Sequence, residues 1–185
     1  GKPFLARLEA GFPKPKNATL GMDIAGTVEA VGDSVTKWQP GDAVFGQLES
    51  EGSIQGGGFA EYVCANEDTL ERKPANLSFE EVAAIPLVGF TAIQGMRDFG
   101  HIRAGQKVLI NGASGGIGTF AVQYARSIGA EVTGVCSTRN LELVRSLGAD
   151  HVIDYTQEDF TASDPQYDLI YDTVGNRSAA HYRRA

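Results

Sequence analysis

The stretch NGASGGIGTF, Asn111–Phe120, brings Gly112, Gly115, Gly116 and Gly118 together directly after the apolar run Val108-Leu109-Ile110. Bare backbone has a use where a strand turns into a helix. The amides of the helix start and its positive dipole end hold a phosphate, and a missing Cβ lets a pyrophosphate come close. Gly115, Gly116 and the Ile117 N–H are the candidates for that contact, with Gly112 and Ser114 completing the turn. Gly118 would let helix and strand pack closely. A purely structural turn is the alternative, and the further strand that follows at the right separation weighs against it.

The spacing fits two fingerprints. Ala113-x-Gly115-x-x-Gly118 is G-x-G-x-x-G with its first glycine replaced, and Gly112-x-x-x-Gly116-x-Gly118 is the pattern of short-chain dehydrogenases. Those enzymes also need a Tyr-x-x-x-Lys proton donor, which this chain does not contain.

Downstream of the glycines, strand-like and helix-like segments alternate. KVLIN precedes a helix expected from about Gly116 to Ile128 and ended by Gly129, and EVTGVC precedes one from about Thr138 to Leu147 ended by Gly148. HVIDY and YDLIYDTVG supply two more strands. This order predicts βαβ units, a parallel sheet and right-handed crossovers.

Upstream the character is different. GTVEAVG (26–32), DAVFG (42–46) and GFAEYVCA (58–65) read as strands of a small β-barrel or sandwich, with Pro40-Gly41 as a turn. Ser78-Phe79-Glu80-Glu81 fits a capping box, so a helix should start at Ser78 and stop at Pro86, before a second helical stretch, GFTAIQGMRDFG. The composition shift near Lys73-Pro74 puts the domain boundary at 77/78.

A net charge of −7 excludes a polyanion partner, because nucleic acid is held mainly by Lys and Arg, and an anionic membrane surface is excluded with it. No apolar run approaches the ~20 residues of a membrane span. Cys64 and Cys136 are far apart, each in a strand-like segment, and read as buried reduced thiols, which suits a cytoplasmic, reducing compartment. The chain starts without Met and closes on AAHYRRA in what reads as mid-helix, so a fragment is expected, and an upstream targeting segment stays open.

A site for NAD places an Asp or Glu ~20 residues beyond the glycines to accept from the ribose 2′-hydroxyl. Between Glu131 and Glu142 there is no acid, and VCSTRN offers Ser137, Thr138, Arg139 and Asn140 instead. Arg139 could pair with a 2′-phosphate or be a solvated charge on a surface turn. The missing acid favours NADPH.

With these residues in view, the chain resembles the medium-chain dehydrogenase/reductase superfamily and, within it, the zinc-independent quinone oxidoreductase-like branch. The resemblance rests on LGMDIAGTVEAVG, WQPGDAVFG, GGGFAEYV, AAIPLVGFTA, VLINGASGGIGTFAVQYA and LGADHVIDYTQEDF, in that order. It implies an α/β fold: a partial GroES-like β-barrel domain over 1–77, its N-terminus missing, then a partial Rossmann doubly wound parallel sheet over 78–185, its C-terminal strands missing, with the active site in the cleft between them. Zinc-dependent relatives read Gly-His-Glu where this chain reads Gly21-Met22-Asp23, and a thioether is a poor zinc ligand. The four-cysteine lobe expected after GDAVFG is replaced by QLESEGSIQGG, so no zinc is expected.

The resemblance further implies hydride transfer from NADPH to a quinone or to an α,β-unsaturated carbonyl. A 2-alkenal or enoyl reductase, and a non-catalytic NADPH-binding or interaction protein of the same fold, stay open as alternatives. By the same resemblance, Ser137, Arg139 and Asn140 surround the 2′-phosphate and Tyr155 lies beside the adenosine phosphate or is an ordinary interfacial tyrosine. Thr91 approaches the nicotinamide or packs a helix, and Asp172 to Gly175 end a strand near the ribose. Asp23 is a weak catalytic candidate that could equally order the cleft wall. Phe4, Phe12 and Tyr62 could line the acceptor pocket, while His101, His151 and His181 read as surface histidines. A homo-oligomer is expected at full length, and a chain of only these residues is expected to turn over negligibly.

Overall fold

The computed structural model describes residues 19–48, 56–161 and 166–182. Two compact units divide the chain, Gly1–Leu87 and Val88–Ala185.

The first unit carries an antiparallel sheet in the order β1-β2-β3: β1 (Asp23–Thr27), β2 (Ala43–Gln47) and β3 (Leu70–Arg72). Thr27 pairs with Ala43, and the ladder ends just beyond, where Val28 N–H donates to Asp42 O and Gly41 N–H donates to Val28 O. The expected strand at 26–32 is therefore displaced toward the N-terminus, because the Pro40-Gly41 turn takes up the backbone groups of Val28. Residues 58–65 form no strand either. The Phe59 N–H donates to Leu20 O and the Gly57 and Gly58 N–H groups to Gly21 O, so this backbone is held in a loop. Cys64 is consequently exposed, against expectation, while Cys136 is buried, and both are free thiols.

Helix α1 (Phe79–Ala83) opens on the expected capping box, with Glu81 N–H donating to Ser78 Oγ at 3.2 Å and Ser78 N–H to Glu81 Oε2 at 2.7 Å. It packs on β1 and β2. Pro86 does not close it. Ala84 caps it and Pro86 is the first residue of α2 (Pro86–Ile93), where a missing N–H is harmless and φ is already helical. A π-helical stretch, Gln94–Phe99, continues α2.

The second unit holds a four-stranded sheet of β4 (Lys107–Asn111), β5 (Glu131–Cys136), β6 (His151–Asp154) and β7 (Leu169–Asp172). All pairs are parallel, in the order β6-β5-β4-β7. Strand β4 is buried on both faces, which is why its sequence is continuously apolar rather than alternating. Val108 and Ile110 join one cluster with Ala121, Val122 and Ala125, whereas Leu109 joins the other with Val135 and Phe160. Each such Val, Leu or Ile withdrawn from water contributes about 1.5–3 kcal/mol.

Helix α3 (Gly116–Ile128) presents Gly118, Ala121, Val122 and Ala125 to the sheet, a stripe at 3.6-residue spacing, and ends at the expected Gly129. After β5 the chain makes a 3₁₀ turn, Thr138–Asn140, before α4 (Leu141–Ser146), so the expected single helix is split. A short α5 (Ala179–Tyr182) follows β7.

Candidate functional site

The turn between β4 and α3 is built from backbone. Gly112 has φ +86° and donates its N–H to Val135 O, and Ala113 N–H donates to the same carbonyl. A side chain at Gly112 would be strained at that φ and would also meet Thr173 Oγ1 and Val174 Cγ2. Gly118 sits in ordinary helix, but a Cβ there would run into the Gly112 carbonyl oxygen and the Ala113 Cα. These two positions admit only glycine: one for its backbone angle, the other for the closeness of helix to turn.

Gly115 stands just before α3, and its N–H already donates to Gly112 O at 2.9 Å. The donors left by the helix start are therefore the N–H groups of Gly116, Ile117 and Gly118, since the first amides of a helix have no partner one turn back. Gly115 and Gly116 are exposed, so the mouth of this cradle is open. A Cβ at Gly118 would collide with the Gly112 carbonyl oxygen and one at Gly115 would press on it, so the turn is packed tightly behind these amides.

The turn after β5 docks on this cradle. Asn140 Nδ2 donates to Ser114 Oγ at 3.0 Å and to Ser137 Oγ at 3.3 Å. Both hydroxyl oxygens accept here, so each hydroxyl keeps a proton it can donate. Arg139, exposed and next to Asn140 in sequence, forms no ion pair among the described residues. Ser114, Ser137, Arg139 and Asn140 are thus brought together. Tyr155 is 57% exposed, and its backbone N–H donates to Cys136 O at the end of β5.

Asp154, at the end of β6, pairs in register with Cys136. Its Oδ2 accepts from Thr138 Oγ1 at 2.5 Å, and its Oδ1 from the Thr156 N–H at 2.9 Å and Thr156 Oγ1 at 2.8 Å. The Thr138 hydroxyl first, then Thr156, hold this carboxyl below the ordinary range. Sequence reading, which searched only between Glu131 and Glu142, missed it. The signal was Asp154-Tyr155-Thr156, an Asp followed two residues on by a Thr whose N–H it can accept.

A second polar cluster lies under the glycine turn. Buried Asn111 ends β4, and its Nδ2 reaches Asp172 Oδ1 at 2.9 Å, Asn176 Oδ1 at 3.2 Å and Tyr182 Oη at 3.3 Å. Tyr182 Oη donates to Asp172 Oδ2 at 2.6 Å. Burial alone would raise the Asp172 carboxyl, but the Tyr182 hydroxyl, the Val174 and Gly175 N–H groups and the Asn111 amide hold it low. Burial, together with Asp172, pushes the Tyr182 phenol up to about 12. This cluster holds the strand end 172–175 against the turn, with Thr173 Oγ1 donating to Asn111 O.

Thr91 lies on α2, half-buried, and its carbonyl accepts from Tyr171 Oη at 3.0 Å. In the first unit, Asp23 opens β1, and its Oδ1 accepts from the Leu87 N–H at 2.9 Å, within the first turn of α2. Burial pushes the Asp23 carboxyl up, with the Leu87 N–H opposing. Tyr62 is 76% exposed and lines a cavity of about 790 Å³ over the sheet, together with Asp23, Val44 and Leu70. Phe4 and Phe12 lie outside the described residues.

Two family matches cover the chain in order: the alcohol dehydrogenase GroES-like domain over residues 5–75 and the zinc-binding dehydrogenase domain over 116–182. The second description implies zinc. Among the described residues, however, no three His, Cys, Asp or Glu side chains stand together, and Asp23 is held by an amide. The thioether of Met22 beside a carboxylate that accepts from an amide is a donor set that does not fit a zinc centre.

The chain is 39% identical over 171 residues to a tomato (Solanum lycopersicum) 2-methylene-furan-3-one reductase, covering 90% of this chain and 44% of that protein. It is 38% identical to the chloroplastic NADPH-dependent alkenal/one oxidoreductase of Arabidopsis thaliana, covering 87% and 43%. Among solved structures, the quinone oxidoreductase of Coxiella burnetii superposes with a TM-score of 0.82 at 34% identity, over 92% of this chain and 55% of that one. The chain thus spans about half the length of the curated relatives it matches. With a GroES-like domain followed by a Rossmann-type parallel sheet, it belongs to the medium-chain dehydrogenase/reductase superfamily, in the quinone oxidoreductase-like branch.

Proposed function

We propose that the protein is an NADPH-dependent reductase that delivers a hydride, without zinc, to an electron-poor small molecule, a quinone or an α,β-unsaturated carbonyl. The observation that carries this reading is the joined cradle: helix-start amides at Gly116 to Gly118, beside a turn presenting Ser114, Ser137, Arg139 and Asn140. The amides receive a pyrophosphate, and the second group, two serine hydroxyls held by Asn140 and the Arg139 guanidinium, receives a 2′-phosphate. The names of the relatives support the acceptor class.

When bound, the reduced nicotinamide supplies the hydride, so the protein's own residues need only bind, orient and exclude water. Thr91, its backbone fixed by Tyr171, is the proposed contact on the nicotinamide side, and Tyr155 the one beside the adenosine phosphate. In this reading residues 1–77 serve the acceptor and 78–185 the cofactor. Asp23 is assigned to ordering the start of α2, where its Oδ1 accepts from the Leu87 amide. A cytoplasmic protein, assembling as a homo-oligomer at full length, completes the proposal. Two free thiols support a reducing compartment, and no helix among the described residues is long and apolar enough to cross a membrane.

Titrating the chain with NADPH and NADH while following nicotinamide fluorescence tests the reading. NADPH is expected to bind more tightly. Gly118→Val, which drives a side chain into the Gly112 carbonyl, is expected to abolish binding of both. Unchanged binding in that variant would refute the cradle, and preference for NADH would refute the phosphate site.

A further inference from the structure

The structure contains an acid close to where an NAD site keeps one. Asp154 ends β6 in register with Cys136, one strand over from the β5 end where an acidic ribose ligand would stand. It is nearly buried, at 9% exposure, yet it sits beside the turn that carries Arg139 and Asn140.

What distinguishes it is how completely it is occupied. A carboxylate has about four lone-pair positions. Here the Thr138 hydroxyl, the Thr156 hydroxyl and the Thr156 N–H donate to it, and the Thr138 N–H acts on it as well. Both carboxylate oxygens are thereby engaged within the protein, Oδ2 by Thr138 and Oδ1 by Thr156. The same contacts bind the 3₁₀ turn to β6 from one side while Asn140 binds it to Ser114 from the other. Arg139 is carried between two anchors.

We propose that Asp154 is a specificity-determining positioning residue whose carboxylate is withheld from the nucleotide. Thr138 and Thr156 engage both of its oxygens, so the acid is not offered to a ribose 2′-hydroxyl beside Arg139, and the site selects a 2′-phosphate. This rests on the nucleotide reading above. A phosphate dianion accepts and has no proton to donate, whereas a ribose hydroxyl needs an acceptor for its proton. Engaging the acid within the protein therefore removes the partner of NADH and retains every partner of NADPH.

The test compares the affinities of the chain for adenosine 2′,5′-bisphosphate and for 5′-AMP by calorimetry, in wild type, Thr138→Ser and Thr138→Val. The wild type and the serine variant, which keeps the hydroxyl, are expected to prefer the bisphosphate to the same degree. In Thr138→Val the ratio of the two affinities is expected to fall about tenfold, the size of one hydrogen bond to a charged group. The Asp154 carboxyl, followed by NMR, is expected to titrate at higher pH than in the wild type.

An unchanged ratio in a folded Thr138→Val chain overturns the proposal, as does an equal loss of both affinities, which is the signature of a merely structural threonine. Should that variant fail to fold, Thr156→Val removes the other hydroxyl and carries the same expectation. A wild-type chain that binds neither probe, or both alike, overturns the nucleotide reading itself. A wild type that prefers the bisphosphate beside an unmoved valine variant overturns this inference alone.

Discussion

Asp23 in the β-rich unit and Asp172 in the parallel-sheet unit are both partly withdrawn from water, and their carboxyls move in opposite directions. Among the described residues Asp23 accepts from one donor, the Leu87 N–H, and burial pushes it up. Asp172 is met by Tyr182, Asn111 and the N–H groups of Val174 and Gly175, and is held down. Burial sets the penalty for charge in both places, and the number of donors decides whether that penalty is offset. The parallel sheet can gather donors because all its strands end on the same side, bringing the loops after β4 and β7 together. An antiparallel ladder sends its ends in alternate directions, and among the described residues Asp23 at the start of β1 meets one amide.

The comparison breaks most visibly at its richer end. Asp172→Ala leaves the buried Asn111 amide and the Tyr182 hydroxyl without their common acceptor, and is expected to cost about 3 kcal/mol, read as a lowered midpoint in urea unfolding. Because the wild-type carboxyl is held low, its contribution is present above the ordinary carboxylate range and lost as pH falls through the depressed value. The gap between wild type and variant should therefore close on acidification below about pH 4.

A smaller effect is expected for Tyr182→Phe, which removes one donor and leaves the others. It should cost about 1.5 kcal/mol and raise the Asp172 carboxyl toward its ordinary value, measurable by NMR titration. An unmoved carboxyl would contradict the donor-count argument.

Smallest and of opposite sign is Asp23→Asn. The asparagine oxygen can still accept from Leu87, while the poorly supported charge is gone. The raised carboxyl of Asp23 gives stability that is fully present below its unfolded value and lost as pH rises through the folded one. The variant should match the wild type near pH 3 and exceed it at pH 7 by less than about 1 kcal/mol, read as a melting-temperature difference that grows with pH. A variant less stable at pH 7 would show that the charge has a role, catalytic or structural, that one amide does not explain.

Legibility differed between the same two regions. In the parallel-sheet unit, β4 to β7, the glycine turn and the Gly129 stop were readable, because each strand and helix there announces itself locally by an apolar run, a period or a glycine. In the β-rich unit the capping box at Ser78 was readable for the same reason. The strand at 58–65 was misread because apolar alternation in Phe59 to Val63 says nothing about whether a neighbour exists to pair with, and there the backbone bonds went to Leu20 and Gly21 instead.

The candidate site divides likewise. Gly112, Ser114, Ser137, Arg139 and Asn140 stand out in the sequence by residue type at two points of the chain. That Asn140 bridges Ser114 and Ser137, that Gly115 donates inward, and that Asp154 lies beside Thr138 are consequences of parallel pairing across tens of residues.

The sequence alone therefore determined the βαβ order and the glycine turn, since these depend on near-neighbour sterics and the periodicity of apolar residues, and its motifs carried the resemblance to the family. Only the tertiary structure decided which hydrogen-bonding groups remain available and which are satisfied, because a carboxylate's partners are chosen by the strands that fold against it.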